Sequence, residues 1–303
     1  MSTATPAGWA ESSPGPLFGI FQRLETQSAM NSRDLSKALR AAETAARGAG
    51  ALMRRNLTRP KVVHAATRHD LKLELDVRCQ QLIQRTLAAA FPEVPVLGEE
   101  GGDAPQTAPR RWVVDPIDGT VNYAYGIPHA CVSIALQERV AQPQRDAAAG
   151  DGEFLTTVGV VYDPFCDELW TGMTGRGARL NGRRIHVSER PLREAVVSLG
   201  FGKQAEVLEY LAPAFTELVH RVRKVRLMGA AALALCYVAA GRFDAFLEPG
   251  LRLWDIAAGG FIVECAGGRF WRQPLDGELR FAVHADNGRL GRSLRRFALP
   301  GGG

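Results

Sequence analysis

The chain has 303 residues, 46% of them hydrophobic and 23% charged, and carries a formal net charge of +5. These proportions exclude global disorder and are typical of a soluble globular protein. The five cysteines are far apart and form no CxxC or Cys/His pair, so we expect a reducing, cytoplasmic setting rather than a disulfide framework or a zinc site. The mild positive charge suits an anionic small molecule. No basic stretch is interleaved with aromatic residues, which disfavours nucleic acid as the main partner.

The first part of the chain, residues 1–31, is rich in Ser, Thr, Pro and Gly and shows no sustained apolar period. We predict a disordered leader here, followed by one folded domain over residues 32–303. The leader has neither the charged-then-apolar plan of a signal peptide nor the early arginines of a transit peptide. The longest apolar run, Leu227 to Ala240, is shorter than the roughly 18 residues that span a bilayer, so we predict a buried helix and no membrane association.

Two amphipathic helices open the predicted domain. Ser32 or Asp34 is placed to cap a helix whose apolar face runs to Met53, and a second helix is predicted from about Leu75 to Phe91. The residues that the helical period turns inward in the second helix are Val77, Leu82, Ile83, Thr86 and Leu87.

The apolar period then changes to short runs bounded by Pro, Gly and Asp, which predict strands. The predicted strands are Val94–Leu97, Trp112–Val114, Cys131–Leu136, Thr157–Tyr162, Glu168–Met173, Val196–Leu199 and Phe243–Leu247. Asn181-Gly182 predicts a tight hairpin turn. Further helices are predicted around Ala205–Arg221, at Met228–Ala240 and from Trp254 to the glycine pair at 267–268. This order predicts an α/β fold in which layers of helices alternate with mixed β-sheets.

The most informative segment is RWVVDPIDGTVNY, from Arg111 to Tyr123. An apolar strand delivers Asp115 to its end, Pro116 is expected to stop the strand ladder, and Gly119 permits a turn that other residues avoid. Asp115 and Asp118 can then converge on a hard cation such as Mg²⁺, beside backbone N–H groups that suit phosphate oxygens. An ordinary Asx-Pro turn with Asp118 as a helix cap is the alternative interpretation.

Two further acidic positions lie at the ends of predicted elements. Glu99 and Glu100 follow an apolar strand in VLGEEGG, and Asp255 opens a helix in LWDIAAGG. A solvated loop and a helix cap are the ordinary interpretations of these two segments. Because functional groups collect at strand and helix ends in α/β proteins, we predict that these carboxylates join those of the first motif.

Two segments, WVVDPIDGTVNY and LWDIAAGGFIVECAGG, resemble the first and second signatures of the inositol monophosphatase family, the Mg²⁺-dependent, lithium-sensitive phosphatases. The GEE element falls upstream of both, in the family's order. The resemblance extends from about Asp34 to the C-terminus. It implies a sugar-phosphatase-like fold, a phosphatase domain over residues 32–303, hydrolysis of a small phosphorylated substrate, and a homodimer.

The resemblance also implies which residues bind two Mg²⁺ ions. Glu99, Asp115 and the backbone carbonyl of Ile117 would hold the first ion. Asp115, Asp118 and Asp255 would hold the second. Two ions about 4 Å apart would clamp the attacking and leaving oxygens of an in-line displacement.

By the same resemblance, a hydrogen-bonded pair of Thr120 and Asp76 helps Glu99 to activate the attacking water. The residues implied to bind the substrate are Gly119, Thr120, Gly229, Ala230, Ala231, Glu248 and Asp255. The family often has a lysine in the loop before Asp76, tied to a third metal, and the spacing leaves open whether Lys61 or Arg68 replaces it here.

Several functions remain compatible with these motifs. Inositol monophosphate or a similar small polyol or sugar phosphate is the favoured substrate. Fructose 1,6-bisphosphate, histidinol phosphate and nucleotide 3′-phosphates are the alternatives, because the same metal core serves all of them in the superfamily. A non-catalytic regulator that binds RNA or a protein on the same fold is the alternative from another class. The presence of every expected metal ligand argues against it.

Overall fold

Two mixed β-sheets, with helices between and beside them, form the framework of the computed structural model. The structure describes residues 30–66, 71–102, 104–140, 154–201, 212, 215–275, 279–294 and 297. Nearly all of the predicted leader, Arg68, and most of the first half of the predicted helix at 205–221 lie outside these residues. No helix within the described ranges is long and apolar enough to cross a membrane.

The helices are α1 Ser32–Asn56, α2 Glu74–Ala90, α3 Thr120–Ala124, α4 Ala231–Ala239, α5 Leu253–Cys265 and α6 Gly291–Leu294. A 3₁₀ turn spans Leu192–Glu194, and residues 215–221 are helical. The first strands are β1 Val63–Ala66, β2 Leu71–Leu73, β3 Val96–Gly98, β4 Arg110–Asp118, β5 Cys131–Arg139, β6 Phe154–Asp163 and β7 Glu168–Met173. The others are β8 Gly177–Leu180, β9 Arg183–Arg184, β10 Val196–Leu199, β11 Lys224–Arg226, β12 Ala245–Arg252, β13 Arg269–Pro274 and β14 Arg280–Asp286.

Both large sheets combine parallel and antiparallel pairs. The seven-stranded sheet has the order β3-β4-β5-β6-β7-β8-β9, in which only β3 and β4 are parallel. The five-stranded sheet has the order β11-β10-β12-β14-β13, with β10 parallel to both of its neighbours. Strands β1 and β2 form a separate hairpin.

The helices pack in layers against these sheets. The buried alanines of α1 bring α1 and α2 close to one face of the seven-stranded sheet. Helices α4 and α5 lie between the two sheets, and their nearly uniform apolar surface explains why both sides are buried. The helical segment 215–221 and α6 cover the outer face of the five-stranded sheet. The predicted alternation of helical layers and mixed sheets is confirmed.

The capping residues of the helices confirm one predicted helix end and correct another. Gly267 has a left-handed φ of 88°, and the N–H groups of Gly267 and Gly268 close the end of α5 on the carbonyls of Glu264 and Val263. This is the Schellman arrangement that the glycine pair predicts. The cap of α1 was predicted at Ser32 or Asp34, which is wrong by one or more residues. The side chain of Asn31 accepts the N–H groups of Arg33 and Asp34.

The buried face of α2 differs from its predicted face. Of the residues predicted to point inward, only Ile83 and Leu87 are buried, whereas Val77, Leu82 and Thr86 are only partly buried. The remaining buried positions are Leu75, Asp76, Cys79 and Gln80. Because the buried face of α2 includes polar side chains, apolar period alone predicts the wrong face. These polar side chains lie at the edge of the candidate site.

Candidate active site

Strand β4 carries Asp115 and Asp118 to the centre of the candidate site through a β-bulge. Asp115 pairs with Ser133 and Asp118 pairs with Cys131, so β4 has one more residue between these pairs than β5 has. A bulge turns neighbouring side chains in new directions, and it accommodates Pro116, which has no N–H to donate. The expectation that Pro116 stops the strand is therefore wrong, because β4 continues through it to Asp118.

Gly119 ends the bulge and starts α3. Its φ of 89° is left-handed, as the motif predicts. A Cβ atom built on Gly119 would lie 2.9 Å from the backbone oxygen of His129 and 3.1 Å from the Cβ atom of Ala230. Glycine is therefore required here both for its backbone conformation and for the close approach of two other segments.

Asp115 is 2% exposed, and its Oδ1 accepts the Ile117 N–H at 2.9 Å. Burial raises the pKa of Asp115 well above its ordinary value, and the negative charges of Glu99, Asp118 and Asp255 raise it further. Its carboxyl group is hydrogen-bonded to the side chains of Glu99 and Asp255. Each such bond between carboxyl groups requires a proton on one of the two.

Asp255 lies in the first turn of α5, where its Oδ2 accepts the Arg252 N–H at 2.8 Å. The helix-cap interpretation is thus correct, and the same carboxylate also reaches Asp115. Burial raises the pKa of Asp255 to about 8, helped by the charge of Asp118. The residue as a whole is partly exposed, but its carboxylate is surrounded by protein atoms, which disfavours the charged form.

Asp118 joins two parts of the chain that are far apart in sequence. Its Oδ1 accepts the Ala231 N–H at 3.1 Å, and its Oδ2 accepts the Ala232 N–H at 2.8 Å. Asp118 therefore caps α4, which starts three residues later than predicted because Met228, Gly229 and Ala230 approach the cap as extended chain and turn. Burial raises the pKa of Asp118 to about 6, a smaller rise than burial alone would give, because these N–H groups stabilise the charged form.

These carboxylates have the chemistry of a hard-cation site. When ionised they are acceptor-only oxygen ligands, and in a buried position their negative charges repel one another. Their donor set fits Mg²⁺ or Ca²⁺ and is unsuited to a soft metal. Within the part of the chain that the structure describes, no group of three or more His, Cys, Asp or Glu side chains has an arrangement that could hold a metal ion.

Glu99 is held in place by a residue that the sequence analysis missed. Gln80 of α2 is 3% exposed, its Oε1 accepts the Glu100 N–H at 3.0 Å, and its Nε2 donates to the carbonyl of Gly101. The turn after β3 therefore presents Glu99 to Asp115 from a fixed backbone. The signal that would have found Gln80 is its spacing of four residues from Asp76 on the buried side of the same helix.

Thr120 directs its hydroxyl proton to a backbone carbonyl and not to Asp76, the partner that the resemblance implies. The Thr120 hydroxyl donates its only proton to the carbonyl of Ile117 at 2.8 Å. Asp76 is 2% exposed, and its Oδ2 accepts the Leu73 N–H at 2.8 Å, as expected of an acidic residue in a first helical turn. Thr120 therefore stabilises the carbonyl that was predicted to bind metal, rather than making the predicted hydrogen bond.

Glu248 lies on β12, and its charge is near enough to help raise the pKa of Asp255. Its carboxylate lies directly over Gly200, where a Cβ atom would overlap it. Of the other predicted substrate residues, Gly229 has a left-handed φ of 75° and Ala230 touches Gly119. The N–H of Ala231 is already donated to Asp118, so this group is not available to a substrate.

Lys61 does not replace the family's loop lysine. Its Nζ donates to the carbonyls of Asn56, Leu57 and Arg59 at 2.8, 2.6 and 2.8 Å, where it closes the C-terminal end of α1. It also lies 4.9 Å from the ring centroid of Tyr123. The second option, Arg68, lies outside the described residues.

Comparisons with known proteins identify the family of this chain. A family model described as the inositol monophosphatase family matches residues 34–292. Nus factor SuhB of Pseudomonas aeruginosa is 40% identical over 233 residues, which cover 74% of this chain and 81% of that protein. Inositol monophosphatase 1 of Solanum lycopersicum is 38% identical over 244 residues, which cover 77% of this chain and 84% of that protein.

The fold is also found among solved structures. The crystal structure of extragenic suppressor protein suhB from Bartonella henselae superposes with a TM-score of 0.75 at 32% sequence identity. The match covers 87% of this chain and 99% of that one. The resemblance inferred from the two signature segments is thus confirmed, and the chain belongs to the inositol monophosphatase family.

Proposed function

We propose that this protein is a Mg²⁺-dependent phosphomonoesterase whose favoured substrate is inositol monophosphate or a similar small polyol or sugar phosphate. The observation that carries the proposal is that Glu99, Asp118 and Asp255 lie close enough to Asp115, around the β4 bulge, for their charges to raise its pKa. Family membership supports the reaction class.

We assign the metal ligands as the resemblance implies. Glu99, Asp115 and the Ile117 carbonyl would hold one Mg²⁺, and Asp115, Asp118 and Asp255 would hold the other. When bound, Mg²⁺ supplies positive charge to the phosphoryl oxygens and lowers the pKa of water. Binding requires that the shared protons leave, and this exchange of protons for cations is the reason for keeping four repelling carboxylates together.

The residues of the chain itself carry the remaining steps. Glu99, held by its fixed turn, is the carboxylate that we assign to accept the proton of the attacking water. Thr120 acts by holding the Ile117 carbonyl. The backbone N–H groups at the start of α3, at Gly119 and Thr120, face the phosphate, and Glu248 accepts hydrogen bonds from substrate hydroxyls.

A second candidate function is suggested by one of the relatives. The Pseudomonas aeruginosa protein is named a Nus factor, so a regulator that contacts RNA or a protein partner on this fold is the alternative. The two functions differ in what they need from the carboxylates, because a regulator gains nothing from buried negative charges that repel one another.

We also propose that the protein is cytoplasmic and forms a homodimer. Size-exclusion chromatography with light scattering would test the homodimer.

The proposed function is tested by phosphate release from inositol 1-phosphate, fructose 1,6-bisphosphate, histidinol phosphate and adenosine 3′,5′-bisphosphate, each with and without Mg²⁺. We expect Mg²⁺-dependent turnover of inositol 1-phosphate. A strong preference for either bisphosphate would overturn the inositol assignment. If no compound on the panel is turned over, the regulator becomes the favoured function.

Replacing Glu248 with glutamine is expected to raise KM for inositol 1-phosphate by about tenfold, because a charged acceptor for substrate hydroxyls is lost. The kcat/KM for p-nitrophenyl phosphate, which has no such hydroxyls, should fall much less. The control is Glu189→Gln, which makes the same change in an exposed ion pair with Arg289. An equal loss of kcat/KM with both substrates would show that Glu248 does not bind the hydroxyl groups of the polyol.

The raised pKa values also predict how pH changes stability. The pKa is raised from 3.8 to about 6 at Asp118 and to about 8 at Asp255, so the folded protein keeps protons that the unfolded chain has released. In chelator, the free energy of unfolding should therefore fall as the pH rises from about 4 to about 8.

Mg²⁺ competes with these protons, so the stabilisation that it provides should grow across the same pH range. We fix the Mg²⁺ concentration at about 100 times its dissociation constant at pH 8. At that concentration we expect Mg²⁺ to stabilise the fold by roughly 3 kcal/mol at pH 8 and by clearly less at pH 6, measured by urea unfolding. Equal stabilisation at both pH values would contradict a site built from these carboxylates.

A further inference from the structure

Asn122 lies in α3, two residues after the last position of the DPIDGT segment, and has no role among the proposed metal ligands. Its side-chain nitrogen lies 3.0 Å from the carbonyl oxygen of His129, 2.8 Å from that of Met228 and 3.3 Å from that of Gly229. Two of these three carbonyls belong to the turn that leads into α4, more than 100 residues further along the chain.

Among side chains of this size and shape, only that of asparagine can donate hydrogen bonds to these carbonyl oxygens. Its nitrogen carries two hydrogens. These two hydrogens can be donated to two of the three carbonyls, and the third carbonyl then shares one of them. A carboxylate of the same shape has no hydrogen and would direct negative charge at three carbonyl oxygens. The contacts therefore depend on the amide nitrogen itself and not on the space that the side chain fills.

The turn before α4 is held from two sides by neighbouring residues of the same motif. Asn122 donates to its carbonyls, at Met228 and Gly229, while Asp118 accepts the N–H groups that follow, at Ala231 and Ala232. Gly229 suits this turn because its φ of 75° is left-handed and because a Cβ atom there would lie only 3.2 Å from the Asn122 nitrogen. Held in this way, the turn cannot shift relative to the β4 bulge without breaking hydrogen bonds at both ends.

We propose that Asn122 is a positioning residue that sets the turn at 228–230, the polyol side of the site, against the Gly119–Thr120 corner, the phosphate side. It acts through these backbone segments and does not touch the reacting atoms. The effect on substrates rests on the proposed function, whereas the effect on the backbone does not. A substrate with hydroxyl groups needs both sides at the correct separation, but a substrate with only a phosphate and a leaving group does not.

The test compares Asn122→Asp, Asn122→Ala and Asn122→Ser with Asn31→Asp as the matched control. Asn31 caps α1 as an acceptor, and its amide nitrogen donates to the carboxylate of Asp34 at 2.8 Å, so the control loses the same donor at an exposed position outside the site. For inositol 1-phosphate we expect KM to rise by at least about tenfold in the Asp variant, less in the Ala variant and least in the Ser variant, which keeps one donor. The kcat for p-nitrophenyl phosphate should change much less than this KM.

Hydrogen exchange of the backbone provides a readout that needs no activity. We expect faster exchange at residues 229–233 in the Asp and Ala variants, in the same order as the KM values, with little change in the control. If Asp is tolerated better than Ala, the side chain serves only to fill space and the proposal is wrong. If exchange follows the expected order while no variant, nor the natural protein, releases phosphate, the positioning role stands and the proposed function fails.

Discussion

Replacing Asp115 with asparagine is expected to abolish phosphate release and at the same time to make the metal-free protein more stable. Asp115 is proposed to hold both ions, so we expect kcat/KM to fall by at least about a thousandfold, equivalent to a loss of several kcal/mol of transition-state stabilisation. Its negative charge is also opposed by burial and by Glu99, Asp118 and Asp255. A neutral side chain of the same shape removes this repulsion.

The stability gain should be seen in chelator at pH 8, where the carboxylates are least protonated. Asparagine keeps an oxygen that can accept the Ile117 N–H, so the backbone contact is preserved. We expect a gain of about 1–3 kcal/mol, because each unit of pKa shift that is relieved contributes about 1.4 kcal/mol. In Mg²⁺ the order should reverse, because only the natural protein gains stability from the ion.

Thermal unfolding with chelator and with Mg²⁺, beside phosphate release, measures both effects. The control is Asp167→Asn, the same change at an exposed residue whose φ of 52° an asparagine also adopts readily. A metal-free Asp115→Asn protein that is less stable than the natural one would show that the four carboxylates do not repel one another as described.

Replacing Asp118 with asparagine should also abolish phosphate release, but with a different effect on the fold. Asp118 gives one oxygen to the Ala231 N–H and the other to the Ala232 N–H. Asparagine has a single oxygen, and its NH₂ group would face one of these N–H groups. A buried donor left without an acceptor costs about 1–3 kcal/mol. We therefore expect metal-free Asp118→Asn to be less stable than metal-free Asp115→Asn by about this amount.

Urea unfolding of the two variants in chelator at pH 8 compares them under one condition. Hydrogen exchange should locate the difference at the start of α4, at residues 231–233, and leave α5 as protected as in Asp115→Asn. If the two variants are equally stable, the Asp118 carboxylate does not hold the start of α4 and acts on the metal alone.

Much of the candidate site could be predicted from the sequence because its residues lie close together along the chain. Asp115, Pro116, Asp118 and Gly119 form one short segment whose backbone demands are local, and the left-handed glycine at its end is confirmed. Asp255 likewise lies in the first turn of a helix with a clear start signal. The period of the apolar residues distinguishes strands from helices, so the alternation of helical layers and sheets could also be predicted.

Tertiary structure decided which groups these residues bind. The backbone partners of Asp118 are 113 and 114 residues away, two of the three partners of Asn122 are 106 and 107 residues away, and the loop held by Gln80 is 20 residues away. Apolar period places residues on the faces of one element and carries no information about which element lies opposite. The family resemblance implies an acidic partner for Thr120, whereas in the structure the Thr120 hydroxyl donates to the carbonyl of Ile117.

Motif spacing and local propensity are properties of short segments, so the residues alone were enough to predict the family, the layered fold and the candidate carboxylates. That Asp118 and Asn122 also hold the turn before α4 became visible once the chain was folded. A buried polar group must find a partner wherever the fold brings one within about 3 Å, at any distance along the chain.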